Sequence, residues 1–173
     1  MNLYLIALRL VHILSGVSWA GATFFMVSTL IPSVRTAGPD VGRFFGRLAG
    51  SNRMLLFMSI SNTLTVLSGL LLYGYLTNGF HLDWLSGGRG LVLTIGALAG
   101  LLAWVVGAIG MAPTGRRIAG MIDAMAAAGG PPSPEQMSVM QTLREKQGQY
   151  GTWLAILLAL AVVCMSIAEY ITL

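Results

Sequence analysis

The residues best suited to chemistry in this sequence lie in its first hydrophobic run, residues 3–30, where Arg9 and His12 interrupt an otherwise apolar stretch. Ionisable side chains at membrane depth are costly to bury, and they therefore mark candidate functional sites. A neutral imidazole is a common ligand of metal ions and haem iron, including in helical bundles. His12 is accordingly predicted to be a cofactor ligand, or else a structural histidine that hydrogen-bonds a neighbouring helix.

A second ligand for the same cofactor is harder to find in the sequence. His81 is the only other histidine, and it belongs to the connection after the second hydrophobic run. A loop that folds back over the helices would bring His81 to His12, so these two residues are the candidate metal ligands. His81 and Asp83 alone are too few for a separate metal site, and their alternative role is to hydrate the loop. The single cysteine, Cys164, has no CxxC partner and is predicted to be a packing residue.

Arg9 is predicted to form an ion pair with Glu169, near the end of the last hydrophobic run. Polar, small and aromatic residues recur every three or four positions along the first run: Arg9, His12, Gly16, Trp19, Thr23 and Met26. A similar stripe follows the last run: Ala155, Ala159, Val162, Ser166 and Glu169. If the two runs are antiparallel helices, Arg9 and Glu169 lie at the same depth, and pairing reduces the cost of burying each charge. His12 and Asn62 are further candidates for this polar cluster. In the alternative interpretation, Arg9 reaches the interface and Glu169 is solvated.

The elements that position these side chains are four long apolar runs. The chain of 173 residues is 55% hydrophobic and only 9% charged, whereas soluble domains carry roughly 25% charged residues. About 20 apolar residues in a helix cross the hydrocarbon core of a bilayer. Four runs reach that length, at residues 3–30, 54–76, 90–112 and 151–172. The prediction is an all-α fold with one membrane domain over residues 1–173, an antiparallel four-helix bundle in a lipid bilayer.

The distribution of basic residues predicts how the bundle is oriented. Eight of the ten Lys and Arg residues lie in the first and third connections, which the positive-inside rule places in the cytoplasm. Both termini then face outward, and helices extend into the cytoplasm from the third connection. We expect a multi-pass protein of a bacterial cytoplasmic (inner) membrane. The net charge of +4 does not indicate nucleic-acid binding, because no basic face interleaved with exposed aromatic residues is present.

Local signals predict where the helices begin and end. Pro32 and Pro113 are expected to end the first and third helices, and Thr114 to cap a short extension. Asp40 is expected to cap a short amphipathic helix in the first connection. Ser133, followed by proline and by glutamine at the third helical position, predicts the start of a further helix that continues into the last run.

Two patterns within the runs predict contacts between helices. Polar residues form one stripe on the second run: Ser61, Thr65 and Ser68. Small residues form a seam on the third run: Gly96, Gly100, Ala103, Gly107 and Gly110. Both patterns are typical of interfaces between membrane helices.

The segment HILSGVSWAG, from His12 to Gly21, resembles the CopD-like group of membrane proteins. That group includes copper-resistance proteins, HemJ-type protoporphyrinogen oxidases and uncharacterised small four-helix membrane proteins. The continuation GATFF from Gly21, with Leu30-Ile31-Pro32 beyond it, is most similar to the last kind. The similarity covers about the first 35 residues, and the four-run layout extends it loosely. It implies that His12 serves haem or metal chemistry.

Three functions remain open on this evidence. The first is a haem- or metal-associated redox or transport protein, with haem b or copper as cofactor and His12 as the first ligand. In this hypothesis Arg9 contacts a propionate or another anionic group, and Trp19 is a further cofactor-binding candidate. The second is a non-catalytic accessory subunit of a larger membrane complex, favoured by the small-residue seam. The third is a small homo-oligomeric transporter.

Overall fold

The computed structural model describes residues 2–37, 41, 44 and 51–171, and these residues form helices without any β-strand. The helices are α1 (Leu3–Phe25), α2 (Ile31–Thr36), α3 (Asn52–Leu76), α4 (Gly88–Val105), α5 (Ala112–Ala128) and α6 (Pro134–Ile167). Two π-helical segments, Met26–Leu30 and Val106–Met111, join α1 to α2 and α4 to α5 without a break. Short 3-10 turns lie at Leu82–Ser86 and Ala168–Tyr170.

The helix starts follow from local capping chemistry. Ser133 caps α6 by accepting a hydrogen bond from the backbone N–H of Gln136, and the Gln136 side chain accepts from the backbone N–H of Ser133. This reciprocal capping box was predicted from the sequence and is confirmed. Ser51 caps α3 in a similar way through the N–H of Met54. The amphipathic helix predicted after Asp40 lies largely outside the described residues.

The prediction that two prolines end their helices is wrong. Pro32 lies within α2 and Pro113 within α5, and in both cases the chain stays helical across the proline. Proline lacks an N–H and clashes with the carbonyl four residues earlier. The wider π turn that precedes each proline accommodates this disruption. Thr114 is consequently an interior residue and not a cap, and its hydroxyl donates to the carbonyl oxygen of Gly110.

The long helices pack antiparallel to their neighbours. His12 of α1 lies against Gly69 of α3, and Gly16 of α1 lies against Thr65 of α3. Residue numbers therefore rise along α1 as they fall along α3. The α4–α6 contacts run in the same sense, from Gly96–Cys164 to Gly110–Tyr150. These two pairs pack most closely, while α1 with α6 and α3 with α4 make fewer contacts. We refer to the end of the bundle that carries Arg9 and Glu169 as the Arg9 end, and to the opposite end as the Pro32 end.

The outer surface of the bundle is apolar, and the buried core is small. Its central cluster contains Trp19, Ala20, Ala103, Leu154 and Leu158. Large hydrophobic side chains such as Leu14, Val17 and Ile109 are mostly exposed, as in a protein whose solvent is lipid. Four helical segments are long and apolar enough to cross a bilayer: Leu3–Val34, Arg53–Leu76, Gly88–Ala128 and Pro134–Tyr170. These features indicate a multi-pass membrane protein.

The buried face of α6 is not the face that carries the stripe from Ala155 to Glu169. Ala159, Val162 and Ser166 are exposed. The buried stripe is displaced from this face and consists of Gly151, Leu154, Leu158, Ala161 and Cys164. Leucine and small residues pack closely against α1 and α4, whereas the Ser166 hydroxyl is satisfied within its own helix by the carbonyl oxygen of Val162.

Candidate functional site

His12 lies at the interface between α1 and α3 and is held there by a backbone group. Its Nδ1 atom is 2.8 Å from the carbonyl oxygen of Thr65. A carbonyl oxygen only accepts, so Nδ1 carries the proton and donates, and in the neutral ring Nε2 keeps its lone pair. Among the described residues, no group hydrogen-bonds Nε2. The imidazole is therefore fixed in the tautomer and orientation typical of a ligand histidine.

The imidazole lies directly against α3 because residue 69 is glycine. A Cβ atom at Gly69 would lie 2.8 Å from Cε1 and 3.1 Å from Nδ1 of His12. Any larger residue would push the ring away from the Thr65 carbonyl. The Ser68 hydroxyl lies 3.4 Å from Nδ1, on the same turn of α3. Ser68 is buried, so this side of the ring is enclosed by protein.

A polar strip continues from His12 toward the Pro32 end along the same interface. The Thr65 hydroxyl lies 2.9 Å from the Ser15 hydroxyl, which joins α3 to α1 one helical turn below the histidine. Thr65 and Ser68 contact α1, and Ser61 is buried one turn away on the same helix, which agrees with the predicted interface role of the polar stripe. Hydrogen bonds of this kind between membrane helices are each worth about 0.5–2 kcal/mol. The strip joins the two helices and fixes the register that places His12 over Gly69.

Arg9 and Glu169 form the predicted ion pair at the Arg9 end. Nη2 of Arg9 donates to Oε1 of Glu169 at 3.4 Å. Arg89, which the sequence analysis left out of the cluster, approaches the same oxygen with its Nη2 atom at 3.9 Å. The three side chains are 67%, 59% and 50% exposed for Arg9, Glu169 and Arg89. The cluster therefore lies at the surface of the bundle, one helical turn beyond His12 on α1, and contains two cations and one anion.

The structure does not bring the remaining candidate residues to His12. Trp19 belongs to the central core and is 3% exposed, two turns farther along α1. Asn62 hydrogen-bonds the neighbouring Thr63 hydroxyl, and among the described contacts it has none with Arg9 or Glu169. His81 is an exposed residue beyond the end of α3. Helix α3 continues for seven residues beyond Gly69, which lies against His12, to its last residue, Leu76. This is about 10 Å at 1.5 Å per residue, so the connection that carries His81 begins well away from the His12 ring.

No group of three or more His, Cys, Asp or Glu side chains that could hold a metal ion occurs within the described part of the chain. Cys164 is buried against Gly96 of α4 and has the packing role expected for it. The rest of the small-residue seam is also used inside the chain. Gly107 and Gly110 contact Leu154 and Tyr150 of α6. The seam is thus the internal α4–α6 interface.

Sequence reasoning missed two members of this site. Arg89 directly precedes the third hydrophobic run, and this position, at the depth of Arg9, is a signal that could have been used. Gly69 carried no signal, because a close approach to an imidazole depends on how two helices are rotated against each other. Comparison with known proteins finds no match to the chain among protein-family models, curated proteins or solved structures.

Proposed function

We propose that this chain is a membrane protein of haem- or metal-associated redox or transport function, with Nε2 of His12 as a ligand. The observation that carries the proposal is the hydrogen bond between Nδ1 of His12 and the Thr65 carbonyl oxygen. Ligand histidines nearly always donate their second ring nitrogen to a carbonyl or carboxylate, which fixes the tautomer and makes the ligand nitrogen more basic. The resemblance of residues 12–21 to CopD-like proteins supports the same assignment.

Haem fits the described residues better than copper. Haem iron takes one or two axial ligands from protein, and His12 offers one nitrogen with a free lone pair. Protein copper sites draw on several imidazole or sulfur ligands, and no group of three or more His, Cys, Asp or Glu side chains accompanies His12 in the described ranges. When bound, haem would supply an iron centre that carries one electron. The protein would hold the ring at His12.

Absorption spectroscopy of the protein purified from membranes tests the proposal. We expect a Soret band in the wild-type protein and its loss in His12→Ala, with helical content and elution volume unchanged. His81→Ala is the matched control, because this exposed histidine lies outside the site and its loss should leave the band intact. A wild-type protein without a Soret band and without bound metal would refute the proposal. A band that survives His12→Ala would refute the role of His12.

We also propose that the Pro32 end faces the cytoplasm of a bacterial cell, with both termini outside. The helices at this end carry five basic residues: Arg53, Arg116, Arg117, Arg144 and Lys146. Basic residues are retained on the cytoplasmic side. In a Cys164→Ala background, Ser133→Cys should be protected from an impermeant thiol reagent in intact cells. Asn78→Cys, at the opposite end, should be labelled. The reverse labelling pattern would contradict this orientation.

A further inference from the structure

At the Arg9 end, two arginines share one glutamate, so one positive charge is left over. Arg9 and Arg89 are the two basic residues outside the basic connections, and both approach the same oxygen of Glu169, at 3.4 and 3.9 Å. A single carboxylate neutralises only one of two guanidinium groups. No other acidic side chain among the described residues forms an ion pair with either arginine.

The guanidinium of Arg89 has donors to spare. Its contact with Glu169 at 3.9 Å is too long for a hydrogen bond, and none of the described hydrogen bonds uses its side chain. A guanidinium carries five N–H donors in a planar fork that matches phosphate oxygens. Because Arg89 is half exposed, an anion can approach it without displacing protein atoms.

The cluster lies at the ends of the apolar helices, where the headgroup level of a bilayer is expected. Arg89 is in the first turn of α4, and Glu169 is in the 3-10 turn that ends α6. Tyr4 and Tyr170 are exposed near the same end, as expected of an aromatic belt at the interface. An anion supplied at this depth would most readily come from the membrane itself.

We propose that Arg9 and Arg89 together bind a phosphate group, supplied by the headgroup of an anionic phospholipid. One phosphodiester carries one negative charge, which is the charge required to neutralise two arginines and one glutamate. Both arginines approach the same Glu169 oxygen, and the phosphate occupies the guanidinium donors that Glu169 does not use. The proposal does not depend on the haem assignment, because it involves the charges of the Arg9 end and not the imidazole nitrogen.

Native mass spectrometry of the full chain in mild detergent tests the site, with phosphatidylglycerol and phosphatidylcholine as probes. We expect preferential binding of phosphatidylglycerol and a fall in its affinity of about fivefold in Arg89→Gln, the effect of one basic residue at an anionic lipid surface. Arg116→Gln removes an exposed arginine from the opposite end and should change the affinity less than twofold. Arg89→Lys keeps the charge and should retain most of the binding.

Two further measurements decide the source of the phosphate and the role of the Glu169 carboxylate. Inorganic phosphate that displaces phosphatidylglycerol and stabilises the protein without lipid would assign the site to a soluble phosphate and overturn the lipid source. Glu169→Gln removes a competing negative charge, so lipid affinity should be kept or increased if the arginines bind an anion. Equal affinity of wild type and Arg89→Gln, or an equal loss in Arg116→Gln, would overturn the site. These readouts are independent of the Soret band, so either proposal can fail alone.

Discussion

Substitution of Gly69 by alanine tests the position of His12 most directly. The added Cβ would lie 2.8 Å from Cε1 of His12, so the ring must shift by roughly half an ångström or more to reach ordinary contact. That shift lengthens the 2.8 Å bond from Nδ1 to the Thr65 carbonyl oxygen. Overpacking costs about 1–3 kcal/mol, and the weakened hydrogen bond about 1 kcal/mol. Alanine in place of a helical glycine returns about 1 kcal/mol. The net expected loss in the free energy of unfolding is about 1–3 kcal/mol.

Gly16 provides the matched control on the opposite helix of the same interface. A Cβ at Gly16 would lie 3.5 Å from Cγ2 of Thr65, which is ordinary van der Waals contact. Gly16→Ala should therefore stabilise the protein, by about 0.5–1 kcal/mol. The two glycine substitutions thus have opposite expected signs, although each adds one methyl group to the α1–α3 interface.

The assay is reversible unfolding in mixed detergent micelles, followed by far-UV circular dichroism, together with the Soret absorbance per protein. Gly69→Ala should lower both the free energy of unfolding and the Soret absorbance per protein, and Gly16→Ala should lower neither. In a His12→Ala background the ring is absent, so Gly69→Ala should become neutral or stabilising. A wild-type-like or more stable Gly69→Ala protein in the native background would show that the imidazole does not lie against α3.

Three further experiments test other parts of the fold. A double-mutant cycle of Arg9→Leu and Glu169→Leu, measured by the same unfolding assay, should give a coupling of about 0.5–1 kcal/mol because both side chains are largely exposed; zero coupling would show that the ion pair contributes nothing. Gly90→Ala should destabilise by about 2 kcal/mol or more, since its Cβ would collide with the carbonyl oxygen of Trp84, a backbone atom that cannot rotate away; a wild-type melting temperature would contradict this contact. Ser133→Ala removes the cap of α6 and should cost about 1 kcal/mol, visible as faster amide hydrogen exchange in the first turn of that helix; unchanged exchange would mean that the cap is dispensable.

The pairing of Arg9 with Glu169 shows which tertiary contacts can be predicted from sequence. Depth in a membrane bundle follows from counting residues along antiparallel helices, and both side chains lie near the ends of their runs. The same counting applies to Arg89, whose position beside Glu169 was available from the sequence but not used. The rotation of a helix about its own axis, unlike its depth, does not follow from counting residues. The sequence did not indicate which face of α6 is buried, because residues such as Val162 and Leu158 are equally apolar and either can face lipid.

The two prolines illustrate a second limit. Proline removes an N–H and clashes with the preceding turn, and a helix end is the usual consequence. Whether the chain instead widens into a π turn depends on packing around the segment. Here Val27 and Met111, one from each π segment, lie beside Gly151 of α6, where an added Cβ would come 3.3 Å from Val27 and 3.8 Å from Met111. Local sequence around Pro32 or Pro113 contains no information about that glycine.

The sequence by itself determined the number of long helices, their apolar character, the capping box at Ser133 and the shared depth of Arg9 and Glu169. These features depend on composition, on local hydrogen-bonding chemistry and on the fixed rise of an α-helix. Only the tertiary structure decided that Nδ1 of His12 donates to the Thr65 carbonyl across Gly69 and that the glycine seam is internal. Lipid is as apolar as the protein interior, so hydrophobic patterning does not distinguish the two faces of a membrane helix, and close packing between particular side chains sets its rotation.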